Sequence, residues 1–376
     1  MNNPAVYHDY ISSIEDVIED ARNGRMFILV DAEDRENEGD LVIPAQMSTP
    51  ATVNFMAKHG RGLICLALTQ ERAETLQIPM MTQVNKTPNQ TAFTVSIEAK
   101  DGISTGISAH DRAHTISVAI DPTKSAEDIV SPGHVFPLVA RHGGTLMRTG
   151  HTEAAVDIAR LAGLNPAGVI CEIMNDDGTM ARMPDLVPFA QLHGLKIGTI
   201  EDLIAYRRRY DHYVKRIAET DFNSHVGGNW KMFVYANTLD YVEHIVLVKG
   251  DISGPEPVLV RMHGISLFGD VLKASRLAPD VIGESMKAVA DEGRGVVVVL
   301  REGRMNYASE LIQGRVNAND DRRLKEYGVG AQILLDLGIK DMILLTNTPE
   351  RRAVALAGYG LNVVGTRPVP SGKLPE

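Results

Sequence analysis

Apolar positions recur at two different spacings along this chain, and the spacing changes from one segment to the next. Residues 12–23 place apolar side chains at helical intervals behind Ser12 or Ser13, which predicts a capped helix. Residues 24–30 end in a continuous apolar run that predicts a buried strand. Strands and helices continue to alternate as far as residue 208. This mixture predicts a layered α/β or α+β domain rather than a helix bundle or a β-sandwich.

A second series of predicted strands and helices begins after an arginine-rich helix end at residues 207–209. A chain of 376 residues is long enough for two domains. We therefore predict a first domain over residues 1–209 and a second α/β domain over residues 210–376.

The composition of the chain narrows the classes of function. The net charge is −10 and no stretch builds a broad basic surface, which argues against a nucleic-acid-binding protein. No apolar run reaches the roughly 18 residues that a membrane-spanning helix needs. The amino terminus lacks a basic segment followed by an apolar core, so no signal peptide is expected. Cys65 and Cys171 lie in apolar runs, which predicts buried thiols and a cytoplasmic location.

Residues 31–40, between two predicted strands, carry six carboxylates around one arginine, Arg35. Acidic runs are usually solvated, but this one ends in Gly-Asp before a second apolar run. A turn held between two strands fixes its side chains, as a binding site requires. Oxygen ligands suit Mg²⁺ or Mn²⁺ better than zinc, and an arginine suits phosphate or carboxylate. The turn therefore predicts a metal-assisted reaction on a small phosphorylated molecule.

Residues 104–112 form the first of three further polar clusters in this domain. Their small hydroxyls, glycine and backbone amides suit a phosphate-binding loop. An ordinary capped helix start would use the same residue types. The sequence leaves these two alternatives open.

The other two clusters contain candidate catalytic groups. His134 and His151 lie on glycine-flanked turns, the latter close to Arg148, which could hold a phosphate. A histidine there could bind a metal or transfer a proton, although isolated histidines are more often structural. Glu172 interrupts an apolar strand, so it either reaches water at the strand end or serves as an acid or base.

Four motifs follow one another along the chain: Asp-Arg-Glu-Asn-Glu-Gly-Asp, Thr-Gly-Ile-Ser-Ala-His-Asp-Arg, Ser-Pro-Gly-His-Val-Phe-Pro-Leu and Arg-Thr-Gly-His-Thr-Glu. Through them, residues 10–208 resemble 3,4-dihydroxy-2-butanone 4-phosphate synthase, a family of riboflavin biosynthesis. The resemblance implies conversion of D-ribulose 5-phosphate to L-3,4-dihydroxy-2-butanone 4-phosphate and formate. It also implies Mg²⁺ or Mn²⁺ at two ions per site, a three-layer fold with a mixed sheet flanked by helices, and a homodimer.

The resemblance further implies roles for individual residues. Glu36 and His151 would bind the metal, and His134 and Glu172 would be catalytic. The positions implied to contact substrate are Arg35, Glu36, Asp40, Arg148, Thr149, Gly150, His151, Thr152 and Glu172. The implied neighbours of the site are Glu38, Cys65, Thr105 and Asp111.

The second domain contains the segments Val-Leu-Val-Arg-Met-His-Gly from residue 258, Phe-Gly-Asp from 268, Arg-Glu-Gly-Arg from 301 and Leu-Leu-Thr-Asn-Thr-Pro from 344. Through them, residues 258–370 resemble the GTP cyclohydrolase II domain that is often fused behind this synthase. That family binds zinc through three cysteines, whereas Ser266, Leu277 and Pro279 occupy those positions here and residues 210–376 contain no cysteine. Zinc that activates water needs several nitrogen or sulfur ligands. We therefore expect no zinc and a catalytically inactive second domain with a structural or regulatory role.

Two other functions stay open at this stage. A bifunctional enzyme would also retain GTP cyclohydrolase II activity, for which Arg304 aligns with a family arginine implicated in attack on the nucleotide. A sugar-phosphate-binding protein without activity would keep Arg35 and Arg148 but would not need both His134 and Glu172.

Overall fold

The computed structural model describes residues 7–239, 241–272, 280–303, 306–313, 322–347, 356 and 359–369. The chain divides into two compact units, Met1–Arg208 and Arg209–Glu376. Over the described residues, each unit contains a mixed seven-stranded sheet with helices packed against it. The predicted pair of α/β domains is confirmed. None of the described helices is long and apolar enough to cross a membrane.

The sheet of the first unit has the strand order β4-β5-β3-β6-β2-β1-β7. Its strands are β1 (Phe27–Val30), β2 (Gly39–Pro44), β3 (Cys65–Leu68), β4 (Ile97–Ala99), β5 (Ile129–Val139), β6 (Gly168–Glu172) and β7 (Ile197–Thr199). The helices are α1 (Ile14–Arg22), α2 (Pro50–Phe55), α3 (Gln70–Thr75), α4 (Ala109–Ile120), α5 (His151–Leu161), α6 (Met183–His193) and α7 (Ile200–Tyr210). The pairs β1–β7 and β3–β5 are parallel, and the remaining neighbours are antiparallel.

Strand β1 explains the layered architecture of this unit. All four of its side chains are buried. Ile28 and Val30 pack into the apolar cluster on one face of the sheet, whereas Phe27 and Leu29 pack into the cluster on the other. Successive side chains of a strand point to opposite faces, so a continuous apolar run is buried only between two helical layers. Strand β1 therefore lies in the central layer of a three-layer core, and the acidic turn begins directly at its end.

Residues 93–97 alternate apolar and polar side chains, which predicts a strand, but the structure forms only part of it. Phe93 and Thr94 contribute isolated bridges, and the regular strand β4 begins at Ile97. The Thr94 hydroxyl donates a hydrogen bond to the carbonyl of Pro137 at 3.0 Å, so this side chain contacts strand β5.

The second unit has the strand order β14-β13-β11-β12-β10-β9-β8. Its strands are β8 (Val214–Ser224), β9 (Gly228–Asn237), β10 (Val242–Lys249), β11 (Val258–Gly264), β12 (Gly295–Leu300), β13 (Asp341–Leu345) and β14 (Asn362–Arg367). The described helices are α8 (Val281–Glu292), α9 (Tyr307–Ile312) and α10 (Arg322–Asp336). The sequence did not predict β8, because most of its side chains are exposed and no apolar periodicity marks it. The positions Leu277, Pro279 and Arg304 lie outside the described residues.

His244 gives the second unit a pH-dependent stability. It is buried in β10, and its Nδ1 accepts the backbone N–H of Arg301 at 3.1 Å. Burial, reinforced by the charge of Arg301, lowers the pKa of His244 from its ordinary 6.5 to about 4. Between these two pH values the unfolded chain binds a proton that the folded chain does not. Acidification through this window is therefore expected to destabilise the second unit by about 3 kcal/mol.

Fluorescence of Trp230 provides the measurement, because it is the only tryptophan of the chain and is buried in the second unit. The free energy of unfolding is measured with urea at several pH values. The variant His244→Gln cannot titrate in this range, so its stability is expected to fall less between pH 6.5 and 4. An equally steep acid loss in the variant would contradict this assignment.

Candidate active site

Asp31, directly after β1, is the structural centre of the acidic turn. Its carboxylate accepts the backbone N–H groups of Glu36 and Glu38 at 3.0 and 2.8 Å. It also accepts Arg35 Nη1 at 2.8 Å, and the same nitrogen reaches Glu36 Oε2 at 2.6 Å. With three donors already in place, the buried carboxylate has little capacity left for a ligand. Asp31 therefore orients Arg35 and Glu36, while Glu33 remains exposed on the same turn.

His151 is the first residue of α5 and is buried beside this turn. Its Nδ1 lies 3.8 Å from Glu36 Oε2 and its Nε2 lies 3.9 Å from Asp40 Oδ1. One ligand atom from each of Asp31, Glu36 and His151 lies within 4.8 Å of the others. The fold thus brings together Glu36 and His151, the two residues proposed from the sequence as metal ligands.

The ionisable groups of this cluster shift one another's pKa values. Burial by itself would lower the pKa of His151, but the carboxylates of Asp40, Glu36 and Asp31 raise it to about 9. Burial, with repulsion from neighbouring carboxylates, raises the pKa of Asp40 to about 7. The neighbouring imidazole of His151, together with Arg35, lowers the pKa of Glu36 to about 2. The cluster is an anionic environment that favours a bound cation.

Asp40 and Glu172 face each other across the neighbouring strands β2 and β6. Glu172 Oε2 accepts the backbone N–H of Leu63 at 2.8 Å, which fixes one of its two oxygens. Burial raises the pKa of Glu38, and repulsion from Glu36 and Glu172 raises it further. Cys65 is buried nearby on β3, where burial and the charges of Glu172 and Asp40 raise the pKa of its thiol. This side of the site therefore contains carboxylates and a protonated thiol.

Arg148 approaches the same helix start from the other side. Its Nη1 pairs with Glu153 at 2.5 Å, and Glu153 is almost fully buried in α5. Its Nη2 donates to Thr91 Oγ1 at 2.9 Å. A Cβ atom at Gly150 would lie 2.3 Å from Arg148 Nη1 and 3.0 Å from Arg35 Nη2. Two guanidinium groups therefore lie against the backbone at the amino end of α5, where anions bind favourably.

Residues 104–112 match the capped helix start rather than a free phosphate loop. Ser108 caps α4. The Asp111 carboxylate accepts the amides of Ser104 and Gly106 at 3.2 and 3.0 Å. These amides are therefore already used within the loop, and Thr105 is exposed between them.

His134 is placed by contacts of its own. Its Nδ1 pairs with Glu98 of β4, and the described contacts do not join it to the Glu36–His151 cluster. Thr152 is buried in the first turn of α5, and Thr149 is exposed before it.

The residues present fit a hard divalent cation. Asp40 Oδ1 is buried without a hydrogen-bond partner. It lies beside His151, which in turn faces Glu36. Carboxylate oxygens with one imidazole nitrogen suit Mg²⁺ or Mn²⁺, and the unpartnered oxygen is the kind of group that such an ion satisfies.

The sequence model of 3,4-dihydroxy-2-butanone 4-phosphate synthase matches residues 15–206. The chain belongs to the 3,4-dihydroxy-2-butanone 4-phosphate synthase family. Residues 215–368 match the sequence model of GTP cyclohydrolase II, so a synthase domain is fused to a cyclohydrolase II domain. These matches confirm the prediction of an enzyme of riboflavin biosynthesis with synthase activity.

Relatives that are similar over 95% of this chain carry two kinds of name. The riboflavin biosynthesis protein RibBA of Aquifex aeolicus is 50% identical, over 95% of this chain and 92% of the relative. The 3,4-dihydroxy-2-butanone 4-phosphate synthase of Pseudomonas syringae pv. tomato is 46% identical, over 95% of this chain and 98% of the relative.

Two solved structures are similar as well. RibBX of A. baumannii, described as a two-domain synthase, is 41% identical with a TM-score of 0.72, covering 96% of this chain and all of that one. A synthase in complex with two magnesium ions is 42% identical with a TM-score of 0.52, covering 54% of this chain and 99% of that one.

The cyclohydrolase II domain uses Ser266 for local structure. Ser266 Oγ accepts the backbone N–H of Gly269 at 3.1 Å and caps a short helical turn. Asp270 Oδ2 accepts the backbone N–H of Ser266 at 2.7 Å and pairs with His263 Nε2 at 2.9 Å. Within the described ranges of this domain, no three His, Cys, Asp or Glu side chains converge as metal ligands.

Sequence reasoning missed three residues that shape the synthase site. Glu153 holds Arg148, Glu98 holds His134, and Asn89 donates to Glu36 Oε1 at 2.6 Å. Glu153 was visible as the last residue of the Arg-Thr-Gly-His-Thr-Glu motif, one position beyond the implied substrate contacts. Glu98 and Asn89 are far from their partners in sequence and carry no local signal.

Proposed function

We propose that the first domain, residues 1–209, converts D-ribulose 5-phosphate to L-3,4-dihydroxy-2-butanone 4-phosphate and formate. The observation that carries the proposal is the convergence of Glu36, Asp40 and His151 beside two arginines. Arg35 and Arg148, at the amino end of α5, supply the charge and donors that a sugar phosphate requires. The same segment contains Thr149, Gly150 and Thr152, which are proposed to contact the substrate as well.

Glu36 and His151 are the proposed ligands of Mg²⁺ or Mn²⁺. The related synthase solved with two magnesium ions supports two ions per site here. When bound, such an ion stabilises negative charge that develops on the oxygens of the sugar. Asp40 faces the same space and contacts the substrate in this proposal, with Glu38 and Cys65 as neighbours.

Proton transfer is the proposed role of Glu172 and His134. Enolisation of a ketose removes a proton from the carbon beside the carbonyl, which needs a positioned base. Leu63 N–H holds one oxygen of Glu172, and the other oxygen is left to exchange a proton with substrate. Further protons move when the carbon skeleton rearranges and formate is lost, and His134 and Glu172 are proposed to exchange them. Thr105 and Asp111 belong to the loop that contacts His134.

The direct test incubates the full-length chain with ribulose 5-phosphate and Mg²⁺, with and without a chelator. The four-carbon phosphate and formate are expected in equal amounts, and the chelator is expected to suppress both. Turnover that survives complete chelation would refute the metal assignment, and absence of both products with Mg²⁺ and Mn²⁺ would refute the reaction.

The variant Glu36→Gln is expected to require much more Mg²⁺ for activity. Glutamine keeps the shape of the side chain but loses the charge beside His151. Loss of an outer partner weakens metal binding about 10- to 100-fold, so loss of a direct ligand is expected to raise the half-saturating Mg²⁺ concentration at least as much. Glu33→Gln is the matched control, because it removes the same charge from an exposed position of the same turn. Equal shifts in both variants would contradict the role of Glu36.

We further propose that the synthase acts as a cytoplasmic homodimer, in line with the family resemblance. Analytical ultracentrifugation of the full-length chain tests this, since a sedimentation coefficient of a single 41.0 kDa chain at assay concentrations would exclude the dimer.

For residues 210–376 we propose a structural or regulatory role without cyclohydrolase activity. The absence of cysteine from this segment and the capping role of Ser266 support the proposal. So does RibBX, which is described as a two-domain 3,4-dihydroxy-2-butanone 4-phosphate synthase. The bifunctional alternative is favoured by the match to the cyclohydrolase II sequence model. Incubation with GTP and Zn²⁺ decides between them, because release of formate and pyrophosphate would establish the second activity.

A further inference from the structure

His134 lies in a bulge between two antiparallel strands. Ile97 of β4 pairs with Val135 of β5, but the next residue of β4, Glu98, pairs with Val130. Residues 131–134 are therefore extra on β5 and leave the regular ladder. Bulges of this kind redirect a side chain and are common beside active sites.

Ser96 and Gly133 hold the bulge in place. Ser96 Oγ accepts the backbone N–H of Gly133 at 3.1 Å, and Ser131 Oγ donates to the Ser96 carbonyl at 2.7 Å. A Cβ atom at Gly133 would lie 2.2 Å from the backbone carbonyl of Ile97, so only glycine permits this approach. His134 comes directly after it and reaches the carboxylate of Glu98 through Nδ1.

A loop covers the pair of His134 and Glu98. A Cβ atom at Gly106 would lie 1.5 Å from Glu98 Oε1 and 2.7 Å from His134 Nδ1, so the backbone of the loop packs directly on both groups. Asp111 fixes the loop by accepting the Gly106 N–H at 3.0 Å. Glu98 is mostly enclosed, with 13% of its side chain exposed, whereas 44% of His134 is exposed. One edge of the imidazole is thus held while the other remains open.

We infer that Glu98 is a positioning residue for His134 in the synthase reaction, an inference that rests on the proposed function. An ionised carboxylate can only accept hydrogen bonds, so Nδ1 of His134 carries the proton that Glu98 receives. The lone pair of the neutral ring is then confined to Nε2, the nitrogen on the open edge. A carboxylate that orients a histidine and selects its tautomer is a recurring means of preparing it for proton transfer.

The variants Glu98→Gln and Glu98→Asp test this role. Glutamine keeps the size of the side chain, but its amide can donate as well as accept and no longer selects one tautomer. For Glu98→Gln, kcat is expected to fall by about 10- to 100-fold, the effect known for removing the carboxylate partner of a metal-bound histidine, with KM for ribulose 5-phosphate unchanged. Glu98→Asp keeps an acceptor-only group and is expected to recover part of the lost kcat.

The tautomer itself is measured by ¹⁵N NMR of the full-length chain labelled in histidine, with His134→Asn supplying the assignment. In the neutral ring, wild type is expected to show Nδ1 protonated and Nε2 unprotonated, and Glu98→Gln is expected to show a mixture of the two tautomers. An unchanged tautomer in Glu98→Gln would overturn the inference, as would a changed tautomer with unchanged kcat. The NMR result does not depend on turnover, so failure of the proposed reaction in wild type would be recognised separately.

The loop provides a second, matched comparison. Gly106 and Gly178 share a positive φ of 87°, so alanine strains the backbone at both positions. At Gly178 nothing lies within 4 Å of the added Cβ atom, whereas at Gly106 the atom meets Glu98 and His134. Gly106→Ala is expected to lower kcat and alter the His134 resonances, and Gly178→Ala to do neither. Equal effects of the two variants on kcat and on the His134 resonances would contradict the role of the loop in holding Glu98 and His134.

Discussion

The variant Glu172→Gln is expected to stop formate release while the protein still folds and binds metal. Glutamine fills the same space, and its carbonyl oxygen can accept the Leu63 N–H that Glu172 accepts in wild type. What it lacks is the ability to take a proton from carbon. General acid–base catalysis contributes about 10²- to 10⁴-fold, so a loss of this size is expected in kcat. His134→Asn is expected to cause a loss of the same order, because asparagine cannot exchange protons near neutral pH.

Two measurements accompany the assay for these variants. Binding of Mn²⁺, monitored by electron paramagnetic resonance, is expected to persist because Glu36 and His151 are untouched. The thermal unfolding midpoint is expected to stay close to that of wild type. Turnover within a few-fold of wild type in either variant would show that the proton transfers have been assigned to the wrong side chain.

The variant Asp157→Asn is expected to destabilise the first unit by about 3–5 kcal/mol, the effect of removing one charge from a buried ion pair. Asp157 Oδ2 accepts Arg207 Nη1 at 2.7 Å, and both side chains are 5% exposed. The same oxygen accepts the backbone N–H and the hydroxyl of Thr145 at 2.8 and 2.7 Å. The pair therefore fixes the segment that leads to Arg148, and a higher KM for ribulose 5-phosphate is also expected.

Urea unfolding monitored by far-ultraviolet circular dichroism measures this effect. Asp176→Asn is the control, because it breaks an ion pair with Arg61 in which Asp176 is 94% exposed, and such surface pairs contribute about 0–1 kcal/mol. The double variant Asp157→Leu, Arg207→Leu removes both charges and is expected to be more stable than Asp157→Asn. Similar losses for Asp157→Asn and Asp176→Asn would contradict the account of the buried pair.

The centre of the site could be predicted from sequence because its residues lie in local patterns. The acidic turn comes directly after a strand whose four side chains are all buried, and this pattern located Glu36 and Asp40 at a strand boundary. The sequence predicted His151 on a glycine-flanked turn, and the structure places it directly after Gly150 as the first residue of α5. Family resemblance then assigned the partners, and the fold placed Glu36 beside His151 although they are far apart in the chain.

The remaining features depend on contacts between distant segments and could not be predicted in this way. Glu98 contacts His134 only because a register shift adds residues to one strand, and no local pattern signals such a shift. Strand β8 is mostly exposed, so its sequence lacks the apolar alternation that reveals a strand. The structural role of Asp31 also could not be predicted, because its oxygens accept hydrogen bonds from two backbone amides and Arg35 that only the folded turn brings together.

The buried guanidinium of Arg207 marks the earliest place where the synthase can be cut from the cyclohydrolase II domain. It is one residue short of the division between the two units, at Arg208, yet it reaches back into the interior of the first. A gene truncated a few codons upstream would remove Arg207 and leave the Asp157 carboxylate buried without this ion pair. The resulting instability could be mistaken for a dependence of the synthase on the second domain. A stop codon placed beyond α7 preserves the interior and allows that dependence to be examined fairly.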